Sequence, residues 1–221
     1  LHTAQVFQFQ FELSHISGER ILDLIRQNGD SKKTLRVKIT CAPITGKDRW
    51  DTCVTTAPYR TNNEARNVMI HREEKDDFLC NFKSVNYFRL FYWRSYYHSH
   101  FSMDEVLFTG REGGIMEGSH TNIMVVKDGR LLYVDPHENY LSGIMQKNIL
   151  RDAPSLGFAN IVPLKGGIPH DLLSCSDEIL LTNSLIAAVP VARIHGSLER
   201  EELNCARSGW AKKIRSHYGI G

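Results

Sequence analysis

The sequence has few cysteines, and their spacing is not that of a structural site. Five cysteines are scattered over 221 residues without a CxxC pair. This odd, dispersed set argues against a disulfide framework and against a structural zinc site. The pair His98 and His100 lacks further ligands at useful spacing, so we predict no metal site. We expect reduced, mostly buried thiols at Cys41, Cys53, Cys80, Cys175 and Cys205.

Long apolar runs and an excess of one charge are also missing. No apolar run approaches the roughly 20 residues that a helix needs to cross a bilayer. The first residues lack a basic start followed by an apolar block, which a secretory signal would have. Twenty-seven basic and 25 acidic residues leave a net charge of +2, too small for a nucleic-acid binder. We therefore expect a cytoplasmic protein that binds neither membrane nor nucleic acid.

Hydrophobic periodicity predicts a small α+β lobe over residues 1–80. Residues 17–27 carry apolar side chains at helical spacing, and residues 35–40 alternate as a half-buried strand. Further strands are expected around 52–56 and 67–70. Because the chain begins at Leu1 and not at methionine, we expect this lobe to continue upstream of Leu1.

Residues 81–221 are predicted to form a larger lobe, a mixed sheet or β-barrel with helices. An aromatic-rich segment, 86–100, indicates a buried or interface helix. Short apolar runs separated by the pairs Gly113-Gly114 and Asp128-Gly129 indicate hairpins. Residues 198–218 are predicted to be a closing helix. The predicted fold class is α+β with two lobes, with further strands expected at 105–109, 114–116, 122–127, 131–134, 179–183 and 189–194, and further helices at 144–150 and 170–175.

Four segments of the sequence could each supply one group for chemistry on a phosphorylated pyridine aldehyde. Lys83 lies between apolar neighbours, where partial desolvation would favour the neutral amine that attacks an aldehyde. Glu117 follows an apolar strand and precedes Gly118 and Ser119. Its carboxylate could face a ring nitrogen and keep it protonated.

The other two segments could bind a phosphate. Residues 141–146 place free amides at a predicted helix start, a position that suits an anion. Residues 181–185 end a predicted strand in small polar side chains that could bond the same phosphate. Each of the four segments alone is explained more simply, as a surface lysine, a turn glutamate, a plain helix start or a strand end.

Together, the four segments resemble the class IV aminotransferases, the fold-type IV pyridoxal phosphate enzymes, from about His2 onward. The residues 83–86, Lys-Ser-Val-Asn, are similar to the lysine motif of the family. The residues 117–122 are similar to its E-G-S-x-[ST]-N segment, and 143–145 to its G-I-[TM]-R turn. Residues 176–191 resemble its "ADE…T…PV" end. The resemblance implies the fold of the D-amino acid aminotransferases.

The resemblance also implies specific roles and pyridoxal 5'-phosphate as the cofactor. Lys83 would hold the cofactor as a Schiff base and move the proton during the reaction. Glu117 would contact the pyridine nitrogen, and Tyr87 would lie near the ring hydroxyl. The phosphate would be bound by four residues, Ile144, Met145, Ser184 and Asn183. Family members usually form homodimers, which would cover the aromatic helix.

Two positions depart from the family pattern. Gln5 stands nearest to the position of an arginine that grips the cofactor phosphate, and Gln146 replaces the arginine that ends the G-I-[TM]-R turn. Losing one bidentate contact of this kind would cost roughly 1.5–3 kcal/mol of cofactor binding. A degenerate relative that does not bind the cofactor tightly is therefore an alternative.

The reaction type is left between a lyase and an aminotransferase. Residues 182–185, Thr-Asn-Ser-Leu, and 188–191 resemble the 4-amino-4-deoxychorismate lyases, whereas aminotransferases of the branched-chain or D-amino acid type tend to carry glutamate where Ala187 stands. Against the lyase, its glycine-rich stretch is absent. We favour the lyase, with Lys47 and Arg49 as candidates for a substrate carboxylate. His120 either faces the substrate or is a structural, hydrogen-bonded histidine.

Overall fold

A computed structural model describes residues 16–28, 34–43, 50–74, 78–196, 202–205 and 208–220. The chain divides into two units, Leu1–Thr61 and Asn62–Gly221. The predicted boundary was near residue 80. The observed boundary lies earlier because the strand Arg66–Glu74 belongs to the sheet of the larger unit.

The smaller unit contains one helix and a two-stranded antiparallel sheet. Helix α1, Gly18–Gln27, begins where the side chain of Ser17 accepts a hydrogen bond from the amide of Arg20, which satisfies one free donor of the first turn. Strands β1, Leu35–Pro43, and β2, Trp50–Pro58, pair along their whole length. The predicted helix and both predicted strands are confirmed.

The larger unit is built on a mixed sheet that confirms the predicted α+β class. In the described residues the sheet has nine strands in the order β5-β4-β3-β10-β9-β6-β7-β8, with β11 added beside β10. Its elements are β3 Arg66–Glu74, a 3₁₀ turn at Phe78–Asn81, α2 Phe88–Phe101, β4 Glu105–Thr109, β5 Ile115–Gly118, β6 Asn122–Lys127, β7 Arg130–Val134, α3 Ile144–Asp152, β8 Asn160–Leu164, α4 His170–Ser174, β9 Glu178–Asn183, β10 Ala187–Gly196, β11 Glu202–Asn204 and α5 Trp210–His217.

Strand β3 was predicted as part of the small lobe, but it lies inside the large sheet. It runs parallel to β4 on one side and to β10 on the other. Its residues Val68, Met69 and Ile70 are all buried. Consecutive buried residues are typical of a strand covered on both faces, and this burial explains why the larger unit starts before β3.

Alternation along β6 divides the core into two layers. Ile123 and Val125 pack in a cluster that includes Leu173 of α4. Met124 and Val126 face the opposite side, where they pack with Ile149 of α3 and with α5. Successive side chains of a strand point to opposite faces, so one face of the sheet packs with α4 and the other with α3 and α5.

The predicted hairpin at Asp128-Gly129 is confirmed. Both residues have positive φ, 51° and 69°, as a two-residue turn of type I′ requires. The turn connects β6 to β7, and Lys127 pairs with Arg130 across it.

Two helix predictions need correction. The aromatic helix α2 buries only Leu90 and Tyr97, while Phe88 and Phe91 are 79% and 65% exposed. The buried alternative is therefore wrong, and the interface alternative stays a prediction. The closing helix, predicted over 198–218, begins only at Trp210. The residues 202–204 instead pair with β10 as β11. Strand β8, which pairs with β7, was not predicted.

The long-range contact that starts helix α5 explains this second error. The buried carboxylate of Glu178 accepts hydrogen bonds from the amides of Ser208, Trp210 and Ala211. The amides of Trp210 and Ala211 are first-turn donors that a helix cannot satisfy internally. Because the cap lies about thirty positions away in the chain, local periodicity gave no sign of it.

The cysteines are free, as predicted, but the prediction that most are buried is wrong. Cys53 and Cys175 are exposed, and Cys41, Cys80 and Cys205 are half-buried. Within the described ranges, no group of three or more potential ligands could hold a metal ion. No helix there is both long and apolar enough to cross a membrane.

Candidate active site

Lys83 lies between the 3₁₀ turn Phe78–Asn81 and helix α2, and its side chain is exposed. The expected partial desolvation is therefore not found. Its Nζ atom lies 5.0 Å from the ring centroid of Tyr87, a distance at which an ammonium interacts favourably with an aromatic face. The segment is joined to the loop before α3, because Asn81 Nδ2 donates to Asn139 Oδ1 at 3.2 Å.

Glu117 is buried near the end of β5. Its Oε1 accepts a hydrogen bond from the amide of Leu141 at 3.1 Å. This bond links two of the predicted segments, 117–122 and 141–146, although they are 24 positions apart in the chain at this contact.

Asn122 fixes the same loop from the start of β6. Its Nδ2 donates to the carbonyl of Leu141 at 2.7 Å. A Cβ atom on Gly143 would lie 2.1 Å from Asn122 Oδ1, so only glycine fits between this side chain and the first turn of α3. Ile144 at that helix start is exposed, and Met145 is buried.

The fourth segment is held by Asn183 at the end of β9. Its Oδ1 accepts from the amides of Leu185 and Ile186 at 2.8 and 3.1 Å, and its Nδ2 donates to the carbonyl of His120 at 3.4 Å. This amide therefore closes the turn and joins it to the segment 117–122. Ser184 is exposed in that turn.

Glu105 is a functional residue that the sequence analysis missed. Its carboxylate is buried at the start of β4 and binds every residue from Ser119 to Thr121. Ser119 donates through both its amide, at 3.0 Å, and its hydroxyl, and Thr121 Oγ1 donates at 2.9 Å. His120 Nδ1 lies 2.7 Å from Glu105 Oε2. A glutamate at the head of the apolar run 105–109 was the signal that could have indicated it.

These contacts stabilise the charged form of Glu105. Burial by itself raises the pKa of Glu105, but His120 and the hydrogen bonds from Ser119 and Val106 outweigh it and lower the pKa from 4.5 to about 2. The ionised carboxylate therefore holds the turn between β5 and β6 in a fixed shape. His120 is paired with this carboxylate, and its predicted contact with the substrate stays a prediction.

Three buried polar atoms in the predicted segments lack a hydrogen-bond partner among the described residues. They are the hydroxyls of Tyr87 and Thr182 and the Nε2 atom of Gln146. Gln146 Oε1, by contrast, accepts from Tyr140. A buried polar group without a partner is costly and calls for an explanation such as a bound ligand. The acid of Glu117, the amine of Lys83 and these polar atoms are the kinds of group that a ligand with an aromatic and an anionic part requires.

A cleft of about 830 Å³ opens elsewhere on the larger unit, beside the β4–β5 turn and the loop after β8. Arg72, Arg111 and His170 are among its lining residues, and the predicted site residues are not. Gln5, Lys47 and Arg49 lie outside the described residues, so their predicted roles stay predictions.

The chain is similar to known proteins over most of its length. The sequence model of the class IV amino-transferases matches residues 2–194. A provisionally named branched-chain-amino-acid aminotransferase of Thermotoga maritima is 31% identical over 101 residues, which are 44% of this chain and 35% of that protein. The chain thus matches about a third of the length of this curated relative.

Two solved structures share the fold. A provisionally named 4-amino-4-deoxychorismate lyase of Legionella pneumophila superposes with a TM-score of 0.79 at 16% identity, covering 100% of this chain and 82% of that chain. The branched-chain aminotransferase of Thermoproteus uzoniensis, solved with norvaline, gives a TM-score of 0.81 at 18% identity, covering 99% and 74%.

We predict that Glu105 gives this unit a stability that depends on pH. The folded pKa lies below the ordinary value, so the contribution is complete above about pH 5 and is lost as the pH falls toward 2. At pH 7 the variant Glu105→Gln should be less stable by about 2–3 kcal/mol, and the difference should shrink by pH 3. Urea unfolding at several pH values measures it.

The matched control is Glu178→Gln, which removes a buried carboxylate that caps α5. Both variants should lower stability, but only Glu105→Gln should accelerate hydrogen exchange of the amides from Gly118 to Thr121. Equal exchange of these amides in both variants would show that Glu105 does not hold the turn.

Proposed function

Because this chain belongs to the class IV aminotransferase family, whose members depend on pyridoxal 5'-phosphate, we propose that it binds this cofactor covalently through Lys83. The predicted family resemblance and fold are confirmed. The proposal concerns the activity of the chain and the roles of its residues.

The observation that carries the proposal is the joining of four distant segments by hydrogen bonds. Asn81 binds Asn139, Glu117 binds Leu141, Asn122 binds Leu141 again, and Asn183 binds His120. The sheet adds a further link, since residue 122 pairs with residue 182. Three of the motifs that resemble the family thus meet at one end of β6 and β9, and the segment of Lys83 is tied to the loop just before one of them, at Asn139.

Each segment is assigned one task toward the cofactor. When bound, the pyridine ring supplies an electron sink for the bond changes at the substrate amino carbon. Lys83 would hold the cofactor and move the proton, and the buried carboxylate of Glu117 would keep the ring nitrogen protonated. Tyr87, whose buried hydroxyl lacks a partner in the described part of the chain, would lie near the ring hydroxyl.

The phosphate is assigned to the start of α3 and to the turn after β9. The amides of Ile144 and Met145 belong to the first turn of α3, whose donors have no partner within the helix. Ser184 adds an exposed hydroxyl. Asn183 acts chiefly by holding the turn that presents Ser184, because both ends of its amide are already hydrogen-bonded within the protein.

The reaction we favour is elimination of pyruvate from 4-amino-4-deoxychorismate, which gives 4-aminobenzoate. The turn Thr182–Leu185 supports it, as does Ala187, which is fully buried, has positive φ, 52°, and offers no carboxylate where aminotransferases tend to carry one. The second candidate is transamination of branched-chain amino acids. It is supported by the curated relatives, which are named as aminotransferases.

We further propose a homodimer that covers helix α2. Phe88, Phe91, Tyr92 and Phe101 are exposed on this helix, and Val85 is exposed just before it. Exposed aromatic clusters of this kind mark protein contacts, and aromatic residues are enriched at interface centres.

Covalent cofactor binding is tested by borohydride reduction of the protein with pyridoxal phosphate, followed by peptide mass mapping. We expect the label on Lys83, together with a visible absorbance band, because only this lysine lies within the matched motif. The variant Lys83→Arg should lose the label, while Lys212→Arg, with a change at an exposed lysine of α5, should keep it. A colourless wild type at saturating cofactor would indicate the degenerate alternative.

The reaction is tested by supplying 4-amino-4-deoxychorismate without any keto acid. We expect pyruvate and 4-aminobenzoate in equal amounts, with a rate at least about 10²-fold lower in Lys83→Arg because the lysine moves the proton. Formation of a new amino acid only when an amino acid and a keto acid are both supplied would instead favour the aminotransferase.

The dimer is tested by sedimentation velocity over a range of concentrations. Phe91→Glu should raise the dissociation constant at least about 30-fold, since loss of a central aromatic residue typically costs 2 kcal/mol or more. The control Ile161→Glu changes an exposed apolar residue of β8. An unchanged dimer in Phe91→Glu would exclude this face.

A further inference from the structure

Lys127 and Cys175 form a close pair at the end of β6 opposite to the candidate active site. Lys127 is the last residue of β6, and Cys175 follows helix α4. The distance between Lys127 Nζ and Cys175 Sγ is 2.8 Å. The active-site end of β6, at Asn122, is about 16 Å away along the strand.

This contact is short compared with the other sulfur contacts of the described residues. Cys175 Sγ lies 3.5 Å from the carbonyl oxygens of both Asp171 and Leu172. Cys41 Sγ lies 3.8 Å from Thr52 Oγ1. Two covalent bonds that share one atom span about 2.5 Å between second-row atoms, and sulfur lengthens that span. The 2.8 Å between Lys127 Nζ and Cys175 Sγ is therefore the separation expected of two atoms that are both bonded to one bridging atom.

The backbone around the pair is fixed by its own hydrogen bonds. The amide of Asp128 donates to Asp177 Oδ2 at 2.7 Å, and the amide of Asp177 donates to the carbonyl of Val126 at 2.8 Å. Lys127 thus ends β6, and Cys175 lies between α4 and β9, the strand that pairs with β6.

The surroundings suit oxidation of the thiol. Cys175 is exposed, so a small oxidant can reach it. The sulfur of an accessible cysteine is the atom that peroxide oxidises, and here an amine lies within 2.8 Å of it. We propose that Cys175 and Lys127 are a modification site, at which peroxide joins Sγ and Nζ through one oxygen atom.

The chemistry balances with two molecules of a peroxide. The sulfur attacks the first peroxide, so an S–O bond forms, the O–O bond breaks and water leaves. The amine, after losing its extra proton to solvent, attacks the second peroxide in the same way and becomes a hydroxylamine. The hydroxylamine oxygen then attacks the sulfur, an S–O bond breaks, and a third water leaves. The pair loses two hydrogens and gains one oxygen.

The crosslink closes a loop between residues 127 and 175. Covalent closure of a long loop restricts the unfolded chain, so it should raise the melting temperature of the protein by roughly 5–10 °C. Because the pair lies away from the residues assigned to the cofactor, cofactor binding should be unchanged.

The experiment treats the full chain with hydrogen peroxide and maps its peptides without reducing agent. We expect a crosslinked peptide pair that joins residues 127 and 175, with one oxygen gained and two hydrogens lost, and its release by dithiothreitol. Cys175→Ser and Lys127→Arg should both abolish it, and both should lose the gain in melting temperature. Cys53→Ser, which removes the other exposed cysteine, should keep it.

The proposal is overturned if Cys175 is converted to sulfinic or sulfonic acid while Lys127 stays unmodified. It is equally overturned if the crosslink lacks the oxygen atom, or if Lys127→Arg still yields it. These readouts do not depend on cofactor or activity, so they stand whether or not Lys83 binds pyridoxal phosphate.

Discussion

The candidate site depends on a buried negative charge that never needs to touch a ligand. Glu105 stands at the start of β4, and its carboxylate binds the turn that follows β5 through Ser119, His120 and Thr121. A buried carboxylate is costly unless its oxygens are satisfied, and here the turn satisfies them. The same bonds set the direction in which Glu117 and Asn122 leave the turn on either side.

A second set of hydrogen bonds fixes the neighbouring segments to this turn. Glu117 and Asn122 both bind the backbone of Leu141, one at its amide and the other at its carbonyl. Asn183 binds the carbonyl of His120 from the other side. The loops between these strands are thus held by hydrogen bonds from side-chain amides and carboxylates to the backbone. Loops fixed in this way can position functional groups.

The sequence predicted the parts of this molecule that local chemistry determines. The hairpin at Asp128-Gly129, strand β6 and helix α1 follow from turn residues and periodicity, and four short motifs indicated the family. The sequence did not reveal what depends on distant partners. The cap of α5 by Glu178, the place of β3 between two parallel neighbours and the role of Glu105 all arise from residues far apart in the chain. Desolvation of Lys83 was wrongly inferred from apolar neighbours in sequence, which do not cover it in space.

The hydrogen bonds of the site join residues separated by 14, 24, 58 and 63 positions. Contacts of such long sequence separation form only after the intervening chain has collapsed, since loop closure must precede them. No short fragment can assemble the site, and a nascent chain acquires it only once β9 and the turn at Asn183 have been made. The capacity to capture a ligand there therefore becomes a sign that the larger unit has finished folding.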